Sequence, residues 1–159
     1  EALGFSVIQP GGWALQQTSN GLLMGQVDYA LGGVACPEVH VVATMLDKPM
    51  TVQEIFKAAV EKSTPEGIQV EVVSHGSTKL ADREAYQCIF RKVASPAATQ
   101  PAQKYTENVE LVRLITLPEQ DGKTPLYIVA MECYDTDLQK CVSLMDQVSA
   151  GFKLLSDHP

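Results

Sequence analysis

Cys36, Glu38 and His40 alternate along one stretch of the chain, so a strand would carry all three on one face. Thiolate, carboxylate and imidazole are zinc ligands, and a Cys-His pair can also form a nucleophilic site. Pro37 disturbs the start of such a strand, and no fourth ligand follows at metal-site spacing. A metalloprotein built on this face is therefore an alternative reading, and an incidental arrangement is favoured. Asp135 and Asp137 faintly resemble a calcium loop, but the glycine and the distal glutamate of such a loop are missing. Helix capping accounts for them better. His75 sits before Gly76 in a turn-like run, and His158 lies near the end of the chain. No GxSxG, Walker A or GxGxxG pattern occurs. The residues thus nominate no catalytic, cofactor-binding or metal site, and the reading is a non-enzymatic protein without a cofactor.

Four cysteines, Cys36, Cys88, Cys133 and Cys141, allow two disulfides and three pairings. There is no CxxC. Cys133 ends a strand-like run and Cys141 falls on the apolar stripe of the following helix. The short connection brings their Cα atoms into the range of roughly 4.4–6.8 Å that a disulfide needs. A Cys133–Cys141 bridge is therefore expected, and closing so small a loop adds about 2–3 kcal/mol. Cys36–Cys88 would be the second bridge by elimination. Packed thiols are the alternative for all four.

The chain has 159 residues, 45% hydrophobic and 19% charged, which suits one compact domain over 1–159 with a real core. Its net charge is −7. An acidic surface argues against nucleic acid and anionic membranes as main partners, because both need a cationic face. No apolar run approaches the roughly 20 residues that cross a bilayer. No signal peptide is visible at the start, which fits a trimmed or mature chain as well as a cytosolic one.

The elements that would position these groups are mostly strands. Phe5 to Ile8 reads as a short strand, followed by the Pro10-Gly11-Gly12 turn and Trp13, a core anchor. Asn20-Gly21 signals a hairpin, and strand-like runs follow at 22–31 and 38–46. Thr51 and Glu54 form a capping box ahead of the stripe Val52, Ile55, Phe56, Ala59 and Val60, which predicts a helix. Strands are expected at 68–74 and 84–92, with a broad turn over 76–83 between them. Residues 93–104 read as a loop. A long strand at 106–117, a turn at 118–123 and a return strand at 125–133 follow. Both faces of that return strand are apolar, which predicts a central position. A last helix begins after the Asp135–Asp137 cap region, with Leu138, Cys141, Met145, Val148, Phe152 and Leu155 along one stripe. The fold class is α+β: an antiparallel sheet with one helix inserted mid-chain and one at the end.

The opening Phe5-Ser6-Val7-x-x-Pro10-x-x-Trp13 resembles the F-x-[IV]-x-x-P-x-x-W start of the Mog/PsbP-like superfamily. Gly67-Ile68-x-Val70 after the first helix, Tyr127-Ile128-Val129 and the terminal helix ending near Phe152 are similar in order. Leu80-Ala81-Asp82-Arg83-Glu84-Ala85 resembles that group's L-x-G-x-x-A turn, with Asp82 where glycine is usual. The resemblance implies an α/β/α sandwich around a central antiparallel sheet. It also implies binding or assembly work, as in PsbP, DcrB- and LpqN-type lipoproteins and secretion adaptors. It carries over no functional residue. The cysteines favour an exported member, so the expected setting is the periplasm or another extracellular part of a bacterial envelope. A lipid anchor ahead of Glu1 is compatible with that setting, and the expected partner is a protein or a small apolar ligand. The alternative is a secretion-system partner, either an effector adaptor or a toxin immunity protein, whose acidic surface would steer a basic partner.

Overall fold

The computed structural model describes residues 4–28, 33–63, 68–94 and 108–155. Along the chain run β1 (Phe5–Ser6), β2 (Ala14–Gln17), β3 (Gly21–Asp28), β4 (Gly33–Leu46), α1 (Val52–Ser63), β5 (Ile68–Leu80) and β6 (Arg83–Ala94). Then come β7 (Asn108–Thr116), β8 (Thr124–Tyr134), a 3-10 turn (Asp135–Asp137), α2 (Leu138–Gly151) and β9 (Lys153–Leu154). Seven strands form one antiparallel sheet in the order β2-β3-β4-β8-β7-β6-β5, and β1 pairs with β9 in a separate ribbon.

β8 is the middle strand of the seven, as its two apolar faces require. Val129 and Met131 point to one side, with Val39, Val41, Val109 and Leu111 from the neighbouring strands. α2 covers that side with Cys141, Met145 and Val148, all buried. On the opposite side α1 sets Ile55 and Phe56 over Leu114, Leu126 and Ile128. Phe56 meets Phe90 edge-on at 5.5 Å. Two amphipathic helices thus sandwich the sheet, and each apolar stripe has an apolar sheet face to bury.

The expected capping box closes α1. Thr51 donates its backbone N–H to Glu54 Oε2 at 2.7 Å, and Glu54 returns its own N–H to Thr51 Oγ1 at 3.2 Å. The β2–β3 hairpin turns where Asn20-Gly21 marks it. A Cβ at Gly21 would stand 1.9 Å from the Val41 carbonyl oxygen, so β3 and β4 approach there only because the residue has no side chain.

Three local expectations change. The turn over 76–83 is only Ala81-Asp82, and β5 runs straight through Gly76 and Ser77 to Leu80. Long ladder pairing with β6 outweighs the weak strand propensity of those residues. α2 stops at Gly151, because Phe152 turns extended and β9 pairs back to β1; Leu155 is exposed rather than part of the helical stripe. Asp137 occupies the N-cap of α2 without a side-chain cap bond, and Asp135 binds Arg91 instead, at 2.8 and 3.0 Å. Residues 95–104 of the expected loop and His158 lie outside the described residues.

Candidate functional site

Glu38 and His40 do share a face of β4, with His40 Nε2 3.1 Å from Glu38 Oε1. The side chain of Cys36 lies outside the described residues. The ladder register sets Glu38 beside Glu132 and Glu132 beside Glu110, and Lys92 pairs with Glu110 at 3.0 Å. Among the described residues no three His, Cys, Asp or Glu side chains are grouped so as to hold a metal ion. His75 is on β5 with its ring 6.1 Å from that of Tyr86.

The three cysteines whose side chains are described fall on opposite sides of the sheet. Cys133 and Cys141 are buried together in the cluster under α2, as their spacing predicts. They meet as thiols: Cys88, Cys133 and Cys141 are unbridged, and the described residues hold no disulfide. Burial pushes the Cys141 thiol pKa up, and a hydrogen bond with Cys133 pulls it partly back. Cys88 lies on the α1 side with Phe90 and Val112. The Cys36–Cys88 pairing meets a topological obstacle. β8 and β7 stand between β4 and β6, a backbone separation of about 14 Å, beyond the reach of a disulfide.

A groove of about 690 Å³ opens where the C-terminal end of α2 meets the β5–β6 turn and the two chain ends. Two of its lining residues, Tyr127 and Phe152, belong to an aromatic cluster completed by Phe5. Phe5 stacks on Phe152 at 5.5 Å and 25°, and Tyr127 meets both rings edge-on at 6.3 and 6.2 Å. The β1–β9 ribbon fixes this cluster by pairing Phe5 with Leu154 and Ser6 with Lys153. Gly4 passes so close that a Cβ there would sit 3.0 Å from the Tyr127 hydroxyl.

The polar wall is led by Arg113 of β7, which is 6% exposed. Its Nε donates to Gln87 Oε1 at 2.7 Å, and Nη2 pairs with Asp146 Oδ1 of α2. One helical turn on, Ser149 is also 6% exposed, and its Oγ has no hydrogen-bond partner. Lys79, Arg83 and Lys153 add three cations to the lining, against the carboxylates of Asp82 and Asp146. This is a cationic groove on an acidic protein, held by α2, β7 and a tight turn. A second, smaller crevice of about 160 Å³ lies under α1 among Phe56, Val60, Phe90, Val112 and Ile128.

Arg113 is a groove residue that no sequence motif marks. The signal was present: it is the lone charge in Val109-Glu110-Leu111-Val112-Arg113-Leu114-Ile115 that shares the face of Leu111 and Ile115. Strand alternation therefore buries it, and a buried guanidinium demands a partner. Asp146 and Ser149, spaced by three on the last helix, are where that partner is found.

A large antiparallel sheet with two helices matches the fold of PsbP-like and Mog1-like structures. The solution structure of cyanobacterial PsbP (CyanoP) from Synechocystis sp. PCC 6803 superposes with a TM-score of 0.65 at 14% identity, covering 96% of this chain and 87% of that one. LpqN, described as involved in cell envelope biogenesis of Mycobacterium tuberculosis, gives 0.56 at 12% identity, over 94% and 82%. The Saccharomyces cerevisiae Ran-binding protein Mog1p gives 0.56 at 10%, over 96% and 91%. No protein-family model and no curated protein sequence matches the chain. At these identities the likeness defines the fold, which is the one the opening motif resembles.

Proposed function

We propose that this chain is a non-enzymatic binding protein of the bacterial cell envelope, and that its binding site is the groove between α2 and the β5–β6 turn. The observation that carries the reading is the groove itself. Its volume, about 690 Å³, is that of a ligand site, and it combines aromatic lining residues with a few convergent polar groups. The fold shared with LpqN supports the envelope setting. Cys133 and Cys141, unbridged neighbours in the cluster under α2, give the export reading a test, because an oxidising compartment would close a bridge between them.

The test has two parts. A photo-crosslinking amino acid in place of Thr78, in the groove lining, should capture a ligand or partner in cells, and one at exposed Gln16 on the far edge strand should not. Equal capture from both positions, or none, defeats the groove as the site. Fractionation should place the protein in the envelope, with two of its four thiols oxidised. A cytosolic protein with all four thiols titratable in denaturant defeats the envelope reading and favours an adaptor.

A further inference from the structure

Among the described residues, one surface feature combines a cavity with a fully buried polar group that lacks a partner. The Glu38–Glu132–Glu110 row has Lys92 and His40 against it. The crevice under α1 is small and apolar. The groove holds Ser149, 6% exposed, whose Oγ has nothing to bond to; the other unpartnered buried atom among the described residues, Arg91 Nε, belongs to a side chain already paired with Asp135.

We propose that the groove binds a small amphiphilic anion: one carboxylate or phosphate head on an apolar body. The reading rests on the groove being the binding site and adds the chemistry of its occupant. Three observations converge on it. Arg113 and Ser149, both 6% exposed, lie on the same wall, and the guanidinium keeps donors beyond those given to Gln87 and Asp146. Lys79, Arg83 and Lys153 stand along the rim, so the lining carries four cations against two carboxylates on a protein of net charge −7. A local excess opposite in sign to the whole molecule is a focusing arrangement for an anion, not a solubility device. Beside the charges, Tyr127, Leu117 and Leu154 add apolar surface to the lining. A free inorganic anion would leave that surface unused, and a neutral apolar ligand would leave the cations and the Ser149 hydroxyl unpaired.

A buried hydroxyl without a partner costs stability that a bound head group can recover. Replacing Ser149 with alanine should therefore act in opposite directions on two readouts. The unliganded protein should melt higher, and affinity for the anion should fall about tenfold, the equivalent of one hydrogen bond to a charged group. A residue that merely packs the helix would move stability alone.

The experiment is a titration by calorimetry and thermal shift with decanoate, decyl phosphate, decanol and decyltrimethylammonium, below their critical micelle concentrations. Both anions should bind saturably and raise the melting temperature, and decanol should bind at least about tenfold more weakly. The cation should not bind. The two anions decide whether the head is carboxylate or phosphate. Arg83→Gln and Lys153→Gln, at exposed positions that leave the fold intact, should each weaken anion binding and flatten its salt dependence. Asp82→Asn should strengthen it. Equal binding of decanol and decanoate, absence of saturable binding by either anion, or indifference of anion affinity to Ser149→Ala and Lys153→Gln together would overturn the proposal. If the anions fail while a cross-linker at Thr78 still captures a ligand, the occupant has been misread and the groove remains the site. If both fail, both readings fall.

Discussion

Arg113 and Asp146 share one ion pair in two unlike environments: the arginine side chain is 7% exposed and the aspartate side chain 60%. The pair joins the middle of the sheet to the outer surface of α2. Its two partners should therefore respond differently to removal. Asp146→Ala leaves a guanidinium in the sheet face with Gln87 as its remaining side-chain partner, and should cost about 1–3 kcal/mol of unfolding free energy. Arg113→Met keeps the volume, removes the buried charge and should lie within about 1 kcal/mol of the parent protein. Urea melts of the two variants with an unchanged m-value decide it. An Asp146→Ala protein as stable as the parent would show that the pair does no structural work.

The cap of α1 gives a prediction with a pH signature. Thr51→Ala should cost about 1 kcal/mol at neutral pH, because the Glu54 backbone N–H loses its oxygen acceptor. Glu54 itself accepts from the Thr51 backbone N–H and from its hydroxyl, and these bonds hold its pKa below the usual 4.5. The folded carboxylate is thus the harder one to protonate. Its contribution is present above the unfolded pKa and is lost as pH falls through the folded value. The stability gap between the parent and Glu54→Gln should close as the solution is taken into the acid range, followed by urea melts at each pH. A gap that widens on acidification would contradict the cap geometry.

Much of this fold was legible because each local signal agreed with the pairing it had to serve. The two apolar faces of residues 125–133 predicted the central strand, and the stripe from Leu138 to Val148 predicted the helix over one sheet face. The failures have physical causes. Gly76 and Ser77 look like turn residues, yet ladder partners on β6 hold them extended. Leu155 continues a helical stripe on paper, but the chain leaves the helix at Gly151 to pair β9 with β1. The groove was hidden because its parts are far apart in sequence: the β5–β6 turn, β7, the end of α2 and both chain ends. No spacing rule joins such segments. The one local clue was Arg113, a charge on an apolar strand face.

Cys88 makes the alkaline limb of stability measurable. Burial between α1 and the sheet pushes its thiol from the usual 9.0 to about 11. The unfolded thiol gives up its proton first on raising the pH, so the folded state holds more protons across that interval. Stability from this group is complete below 9.0 and is lost as pH rises toward about 11. Tyrosines and lysines titrate in the same range, so the readout is a difference. The stability advantage of the parent over Cys88→Ala should shrink across that window in urea melts. Iodoacetamide should also modify Cys88 far more slowly in the native protein than in urea. Rapid native alkylation of Cys88 would mean that the α1 face opens readily.

The β5–β6 turn combines strain with a place in the groove. Ala81 and Asp82 have φ of 52° and 59°, consecutive left-handed values that mark a two-residue type I′ hairpin. Alanine has neither the freedom of glycine nor the local hydrogen bonding of asparagine that makes this region tolerable. Asp82 stands at the position where the resembled L-x-G-x-x-A turn has glycine, and the positive φ explains that preference. Replacing Ala81-Asp82 with Asn-Gly should therefore stabilise the protein, by about 1 kcal/mol after the added chain entropy of glycine is deducted. The sheet register need not change, since Leu80 and Arg83 already pair across the turn. The substitution also removes a carboxylate from the groove lining, so anion affinity should rise in the same variant. Chemical denaturation measures the first effect and calorimetric titration with decanoate the second. A destabilised Asn-Gly variant would show that the two left-handed residues are held by contacts of their own side chains, and that the turn is not the strained element its dihedral angles describe.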